Sequence, residues 1–178
     1  MIISIKDHPN HEEIKILKFS SYSDHRGLFS RKYCKKELKD IYFDIKQINI
    51  SKNFKKGTVR GLHYMKSPSK EKKIVICLSG EIFDVLVDIR KKSKTFKKII
   101  KIHLSEDKLL GIYIPNGFAH GFQSLKKNTT LLYLHSDFYK KSLDVGISPL
   151  QKSLKIKWPL KISNISQKDI NLPEIEKI

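Results

Sequence analysis

Four short stretches carry titratable side chains inside otherwise apolar surroundings. They are Asp24-His25-Arg26-Gly27, Arg60-Gly61-Leu62-His63-Tyr64, Gly117-Phe118-Ala119-His120-Gly121-Phe122, and Leu131-Leu132-Tyr133-Leu134-His135 with Asp137 to Tyr139 behind it. Histidine and tyrosine are residue types of general acid–base chemistry, which needs groups that give and take protons near neutral pH. Each also has a plainer reading. An imidazole in an apolar strand is commonly a core residue satisfied by a carbonyl, and Tyr133 fits a core aromatic with its hydroxyl at the rim. Spacing alone leaves both readings open. A metal site needs two histidines close together on one strand face with a carboxylate nearby. His63 and His120 each stand alone in their stretches, so no metal is expected.

The elements that would position these groups are short and alternate with a period of two. Ile100, Ile102 and Leu104 share one face of their run, while Lys97, Lys101 and His103 share the other. In Ile82 to Ile89, Phe83, Val85, Val87 and Ile89 lie on one face and Asp84 and Asp88 on the opposite one. Similar runs are Ile14 to Phe19, Phe43 to Ile50, Lys73 to Leu78, Leu109 to Ile114 and Thr130 to His135. Strict alternation puts Arg60 with Leu62, opposite Gly61 and His63, and puts Tyr133 with Leu131 and His135. Turn residues such as Ser79-Gly80-Glu81 and Pro115-Asn116-Gly117 separate the runs. Apart from a few terminal stretches, only Tyr33 to Leu38 reads as helix. Many short strands without alternating long helices predict an all-β sandwich or barrel, and no Gly-x-Gly-x-x-Gly or Walker loop points to a dinucleotide or P-loop fold. The chain reads as one domain, 1–178, with a less regular tail from about Pro149.

The chain has 178 residues, 36 Lys plus Arg against 18 Asp plus Glu, and a net charge of +18. That length supports a core without staples. Cys34 and Cys77 lack disulfide or zinc spacing, so a reducing cytoplasm is the expected setting. The N-terminal run from Met1 meets charge at Lys6, and no stretch approaches a membrane span. The basic charge invites a nucleic-acid reading, but Arg26, Arg31, Arg60 and Arg90 are the only arginines, and base reading favours Arg. The lysines are dispersed along strand faces, the pattern of a solvated surface. Neither nucleic acid nor membrane is an expected partner.

Several ordered motifs resemble the nucleotide-sugar 3,5-epimerases typified by dTDP-4-dehydrorhamnose 3,5-epimerase. They are Asp24-His25-Arg26-Gly27, Gln47-Ile48-Asn49, Val59 to Tyr64, Gly80 to Arg90, Ile114 to Phe122 and Ile156-Lys157-Trp158-Pro159. The similarity runs from about residue 12 to about residue 170. It implies a cupin-type jelly-roll barrel with short peripheral helices, a homodimer, a nucleotide-diphosphate sugar substrate, and no metal or organic cofactor.

A keto group at sugar C4 makes the C3 and C5 protons removable. Inversion then needs a base on one face, a proton donor on the other and a group that stabilises the enolate oxygen. By resemblance, His63 is the base and Asp169, in Ser166-Gln167-Lys168-Asp169, orients it. Tyr133 is the donor on the far face. Lys73, chosen over its neighbours Lys70 and Lys72, stabilises the enolate with Arg60. Arg26 and Asn49 hold diphosphate or sugar, Gln47 belongs to the same substrate-binding set, and His120 and Asp84 support the pocket. A 3,4-ketoisomerase of the same fold and a non-catalytic sugar-binding cupin are the alternatives. Retention of both His63 and Tyr133 counts against the binder.

Five positions depart from the deoxythymidine-type pattern: Arg31 for Glu, Met65 for Gln, Leu134 for Lys, Ile76 for Arg and Pro149 for Trp. Read as outer-pocket positions, they leave acid and base intact and the nucleobase and sugar open; Arg31 and Pro149 predict weak use of dTDP-4-keto-6-deoxyglucose relative to another nucleotide sugar, such as a GDP-linked 4-keto heptose. Whether C3, C5 or both are inverted stays open at this level.

Overall fold

The apolar runs assemble into two antiparallel sheets that face one another, and each carries a further apolar cluster over part of its outer face. A computed structural model describes residues 3–178; Met1 and Ile2, where the N-terminal run begins, lie outside them. Six strands form the first sheet: β1 (Ile3–His8), β2 (His11–Phe19), β5 (Gln47–Asn53), β7 (Lys73–Ser79), β10 (Leu110–Ile114) and β12 (Thr129–His135), in the order β1-β2-β10-β7-β12-β5. Five form the second: β6 (Val59–Met65), β8 (Glu81–Asp88), β9 (Ile99–Ser105), β11 (Phe118–Ser124) and β13 (Asp144–Gly146), in the order β13-β6-β11-β8-β9. Strands β3 (Ser21–Asp24) and β4 (Gly27–Ser30) make a separate hairpin. This is the all-β jelly roll expected from the sequence.

Between the sheets, Val75, Ile112 and Leu131 of one meet Leu86, Ile100, Leu104 and Phe122 of the other. Behind the six-stranded sheet, Leu17, Ile74, Ile76 and Leu134 pack on Leu38, Ile41 and Phe43 of the β4–β5 connection. Behind the five-stranded sheet, Leu62, Val85 and Val87 pack on Ile147, Leu154 and Ile175 of the C-terminal tail. Full burial of a side chain of this size is worth about 1.5–3 kcal/mol, so both covers are integral to the fold. They also explain why Asp84 and Asp88, on the polar side of β8, have no exposure at all. That side is the interior.

Two local readings need correction. Tyr33 to Leu38 forms turns that lead into a short 3-10 segment at Lys39–Ile41, because Leu38 and Ile41 are drawn down onto the sheet. The alternation in β6 is broken as well. His120 of β11 pairs with His63 and Phe122 pairs with Arg60, so Gly121 alone faces Gly61 and Leu62, the two-against-one count of a β-bulge. Leu62 therefore turns outward to the tail, while Arg60 and His63 both reach the interior cavity.

The bulge depends on glycine. Gly61 has φ +114°, and a Cβ there would stand 2.6 Å from Cα of Gly121 and 2.7 Å from the carbonyl oxygen of His120. Neither the dihedral nor the contact suits a side chain. Gly61→Ala is expected to cost about 2–4 kcal/mol in urea unfolding and to lower activity in the fraction that folds. A stability within about 0.5 kcal/mol of wild type would show that the two strands can separate without loss.

Candidate active site

A cavity of about 510 Å³ opens between the sheets, lined from the five-stranded side by Arg60, His63 and His120 and from the six-stranded side by Asn49, Lys73 and Tyr133. Imidazole and phenol thus project from opposed walls. The tail closes the site. Ser166 caps the one-turn helix α1 (Gln167–Ile170), its hydroxyl accepting from the amide of Asp169 at 3.1 Å. Asp169, 3% exposed, then places Oδ1 2.7 Å from Nε2 of His63, and its Oδ2 accepts from the amide of Gly61 at 3.1 Å. Burial works against ionisation of this carboxyl, but the bonds from His63 and Gly61 outweigh it and hold the group below the usual carboxylate range. An ionised Asp169 accepts a hydrogen bond from a protonated Nε2, which leaves Nδ1 as the basic ring nitrogen.

His120 and Asp84 form a second pair, Nε2 to Oδ1 at 2.7 Å, with side chains 5% and 0% exposed. Burial pushes the Asp84 carboxyl up despite the bond to His120, and its Oδ2 has no hydrogen-bond partner. Tyr133 sits nearby, its ring 6.2 Å from that of His120 in an edge arrangement. Desolvation, reinforced by the Asp84 charge, pushes its phenol well above the ordinary value, with Arg60 opposing. Tyr133 is therefore fully protonated at neutral pH, as a donor must be. Arg60 is held by Asn53, which is 2% exposed and accepts from Nε at 2.9 Å.

Of the lysines at 70, 72 and 73, Lys73 is the one in the cavity wall; Lys72 donates to the Tyr42 carbonyl outside it. Gln47 lies one step behind the wall, donating to Oδ1 of Asn49 at 3.1 Å. Arg26 is not in the cavity. It lies at the exposed β3–β4 turn, where Nη2 bonds Asp24 at 2.6 Å. Sequence reasoning passed over Glu71, whose carboxylate holds Lys73 at 3.1 Å and His135 at 2.8 Å. His135 was legible as a face-mate of Tyr133; Glu71, in a lysine-rich loop before β7, carried no signal. Missed too were Asp144 and Lys168, bonded at 2.7 Å beside Tyr139 in the cavity wall.

The five departures fall differently from the outer-pocket expectation. Met65 lines the cavity, but Leu134 and Ile76 point to the far side of their sheet and pack behind it, because alternation carries even-numbered residues of β12 away from Tyr133 and even-numbered residues of β7 away from Lys73. Arg31 pairs with Glu37 at 2.8 Å, and the Pro149 carbonyl accepts from Trp158 at 3.1 Å.

The family profile described as dTDP-4-dehydrorhamnose 3,5-epimerase matches residues 10–177. The chain belongs to that family. It is an epimerase. The dTDP-4-dehydrorhamnose 3,5-epimerase of Shigella flexneri is 38% identical over 162 residues, 89% of each chain. A structure of dTDP-6-deoxy-D-glucose-3,5-epimerase from Legionella pneumophila, in complex with dTDP-4-keto-L-rhamnose, is 34% identical with a TM-score of 0.92, over 99% of this chain and 94% of that one. A 3'-monoepimerase from Streptomyces bikiniensis in complex with dTDP-quinovose is 27% identical with a TM-score of 0.89, over 96% and 88%.

Asp169→Asn tests the dyad. Its amide keeps the shape and can still accept from Gly61, but presents NH₂ to Nε2 and so reverses the imidazole tautomer. Turnover is expected to fall by about 10³-fold or more with the fold intact by circular dichroism. The lowered folded value of Asp169 means its stabilising contribution is present above the unfolded value of about 3.9 and is lost as pH falls through the folded one. Urea melts from about pH 6 down to about pH 3 should therefore show a shallower acid loss in the variant.

Proposed function

We propose that the enzyme inverts C3 and C5 of a nucleotide-linked 4-keto-6-deoxyhexose, with the dTDP-linked sugar as its substrate, using no metal and no organic cofactor. His63, oriented by Asp169, removes the α-proton. Lys73 and Arg60 stabilise the enolate oxygen, in the way charged donors placed where charge develops lower such barriers. Tyr133 delivers a proton to the opposite face. His120 and Asp84 support the Tyr133 side of the pocket, and Asn49, with Gln47 behind it, contacts the substrate. The decisive support is the placement of a dyad-backed imidazole and a protonated phenol on opposed walls of one cavity.

The dTDP choice draws on the Legionella and Streptomyces complexes, and on the position of the departures. Leu134 and Ile76 pack behind their sheet and do not line the cavity, so the reason those two gave for expecting a different nucleotide sugar falls away. A GDP-linked 4-keto heptose belongs in the same substrate panel as the competing outcome. The two unpaired cysteines, Cys34 and Cys77, fit a cytoplasmic enzyme.

The working unit is a homodimer. The β3–β4 hairpin exposes Tyr22, Leu28 and Phe29, and the edge strand β5 exposes Ile48 and Ile50, all more than half accessible. An apolar hairpin and an open apolar edge on one chain call for cover. A second copy supplies it and carries Arg26 to the partner's cavity mouth. Sedimentation at micromolar concentration should give a dimer, and a chain that remains monomeric would overturn this arrangement.

Separating His63 from Tyr133 tests the chemistry itself. In deuterated water with the dTDP-linked 4-keto sugar, His63→Ala should lose both deuterium incorporation and epimer formation by at least about 10²–10⁴-fold. Tyr133→Phe keeps the base, so it should wash deuterium into C3 or C5 with configuration retained while forming little epimer. If Tyr133→Phe loses exchange as completely as His63→Ala, the two-face assignment fails and the ketoisomerase reading moves ahead.

A further inference from the structure

Three histidine–carboxylate pairs stand around the cavity, and the third, His135 with Glu71, has no part in the chemistry above. Both side chains are nearly buried, at 12% and 8% exposure. The His135 ring stacks on Tyr133 at 6.0 Å and 16°. Its two nitrogens have different neighbours: Nδ1 lies 2.8 Å from Oε1 of Glu71, and Nε2 lies 3.3 Å from Nδ2 of Asn49.

One backbone amide fixes the direction of every bond in this row. The amide of Tyr139 can only donate, and its acceptor, 3.0 Å away, is Oε1 of Gln47. That turns Nε2 of Gln47 toward Oδ1 of Asn49 at 3.1 Å, so Nδ2 of Asn49 faces His135. An NH₂ group has no lone pair to offer, so Nε2 of His135 must accept. The ring proton is then on Nδ1 and is donated to Glu71, whose Oε2 holds the Lys73 ammonium at 3.1 Å. Burial alone would raise the Glu71 carboxyl, but His135 and Lys73 overcome it and hold it low. An imidazolium would set N–H against NH₂ and require Asn49 and Gln47 to turn over, breaking the bond at Tyr139.

We propose that His135 and Glu71 are positioning residues for Lys73: the row from Tyr139 through Gln47 and Asn49 fixes His135 as the neutral Nδ1–H tautomer, and Glu71 transmits that order to the lysine ammonium. This rests on the reading of Lys73 as the group that stabilises the enolate. It also gives Gln47 and Asn49 a second role, since they orient the lysine from behind as well as contacting substrate. A group that acts on charge developing only in the transition state shows itself in kcat rather than KM.

Asparagine and glutamine at position 135 separate the two ring nitrogens. In His135→Asn the amide nitrogen reaches the place of Nδ1 and keeps the donor to Glu71; in His135→Gln it reaches the place of Nε2 and abandons Glu71. His135→Asn should keep kcat within about threefold, whereas His135→Gln and Glu71→Gln should each lose on the order of 30-fold in kcat with KM within about twofold. Equal kcat for the Asn and Gln variants, or a loss carried by KM, overturns the proposal while His63→Ala still reports on the epimerase reading. Nitrogen-15 spectra of the imidazoles in the unmodified protein near pH 7.5 give a test that needs neither turnover nor a folded variant. His135 should be neutral with its proton on Nδ1. A proton on Nε2, or a cation, refutes the row whether or not any 4-keto sugar is turned over.

Discussion

The back-to-back approach of Gly61 and Gly121 governs what the cavity can contain. An ideal strand would send Arg60 and His63, three residues apart, to opposite faces of its sheet. With an extra residue in β6 opposite Gly121, both side chains enter the cavity, and His120, the partner of His63 across the ladder, joins them. The same irregularity exposes the amide of Gly61 to Oδ2 of Asp169. One local break in the ladder thus aligns the imidazole, the arginine and the bond that anchors the dyad carboxylate. The glycines are required by geometry, since a Cβ on Gly61 would occupy the space of the neighbouring strand.

Three buried carboxyl groups stand at the cavity, those of Asp84, Asp169 and Glu71, and each is paired with a histidine. The pairs differ in the other partners available. Asp169 has a backbone amide in addition to His63, Glu71 has Lys73 in addition to His135, and both are held as carboxylates despite their burial. Asp84 has His120 and one oxygen without a partner, and its carboxyl is displaced in the opposite direction. Similar pairs of residue types therefore give two electrostatic outcomes, set by the presence or absence of one further donor. Tyr133, between His120 and His135, is kept protonated chiefly by desolvation.

Much of this was legible in the sequence where alternation is clean. Ile100, Ile102 and Leu104 turn inward and Lys101 and His103 outward as read, and Tyr133 shares the cavity face with His135. Legibility failed where a third layer intervenes. In β8 the aspartate face is interior, because the tail covers the face of Val85 and Val87 and period-two patterns say nothing about a second cover. It failed again at the bulge, where the count of residues between pairs changes, and at Glu71, whose partners lie 2 and 64 residues away and leave no local pattern. Roles for Asp169 and Lys73 came from resemblance rather than from periodicity, and the structure brings both side chains to the cavity wall.

The C-terminal tail joins stability to chemistry through one segment. Leu154 and Ile175 are buried against the five-stranded sheet, and between them the capped turn at Ser166 delivers Asp169 to His63. The dyad carboxylate is therefore held by two apolar anchors on either side and by the Gly61 amide, rather than by a strand of the barrel. Loss of either anchor would loosen the tail before it unfolded the sheets, since the interior cluster between them draws on neither residue. The imidazole would then lose its orienting partner while the cavity that holds substrate kept its remaining walls. The acid–base step is therefore more sensitive than substrate binding to packing defects at Leu154 and Ile175, because only one side of the dyad is built into the barrel.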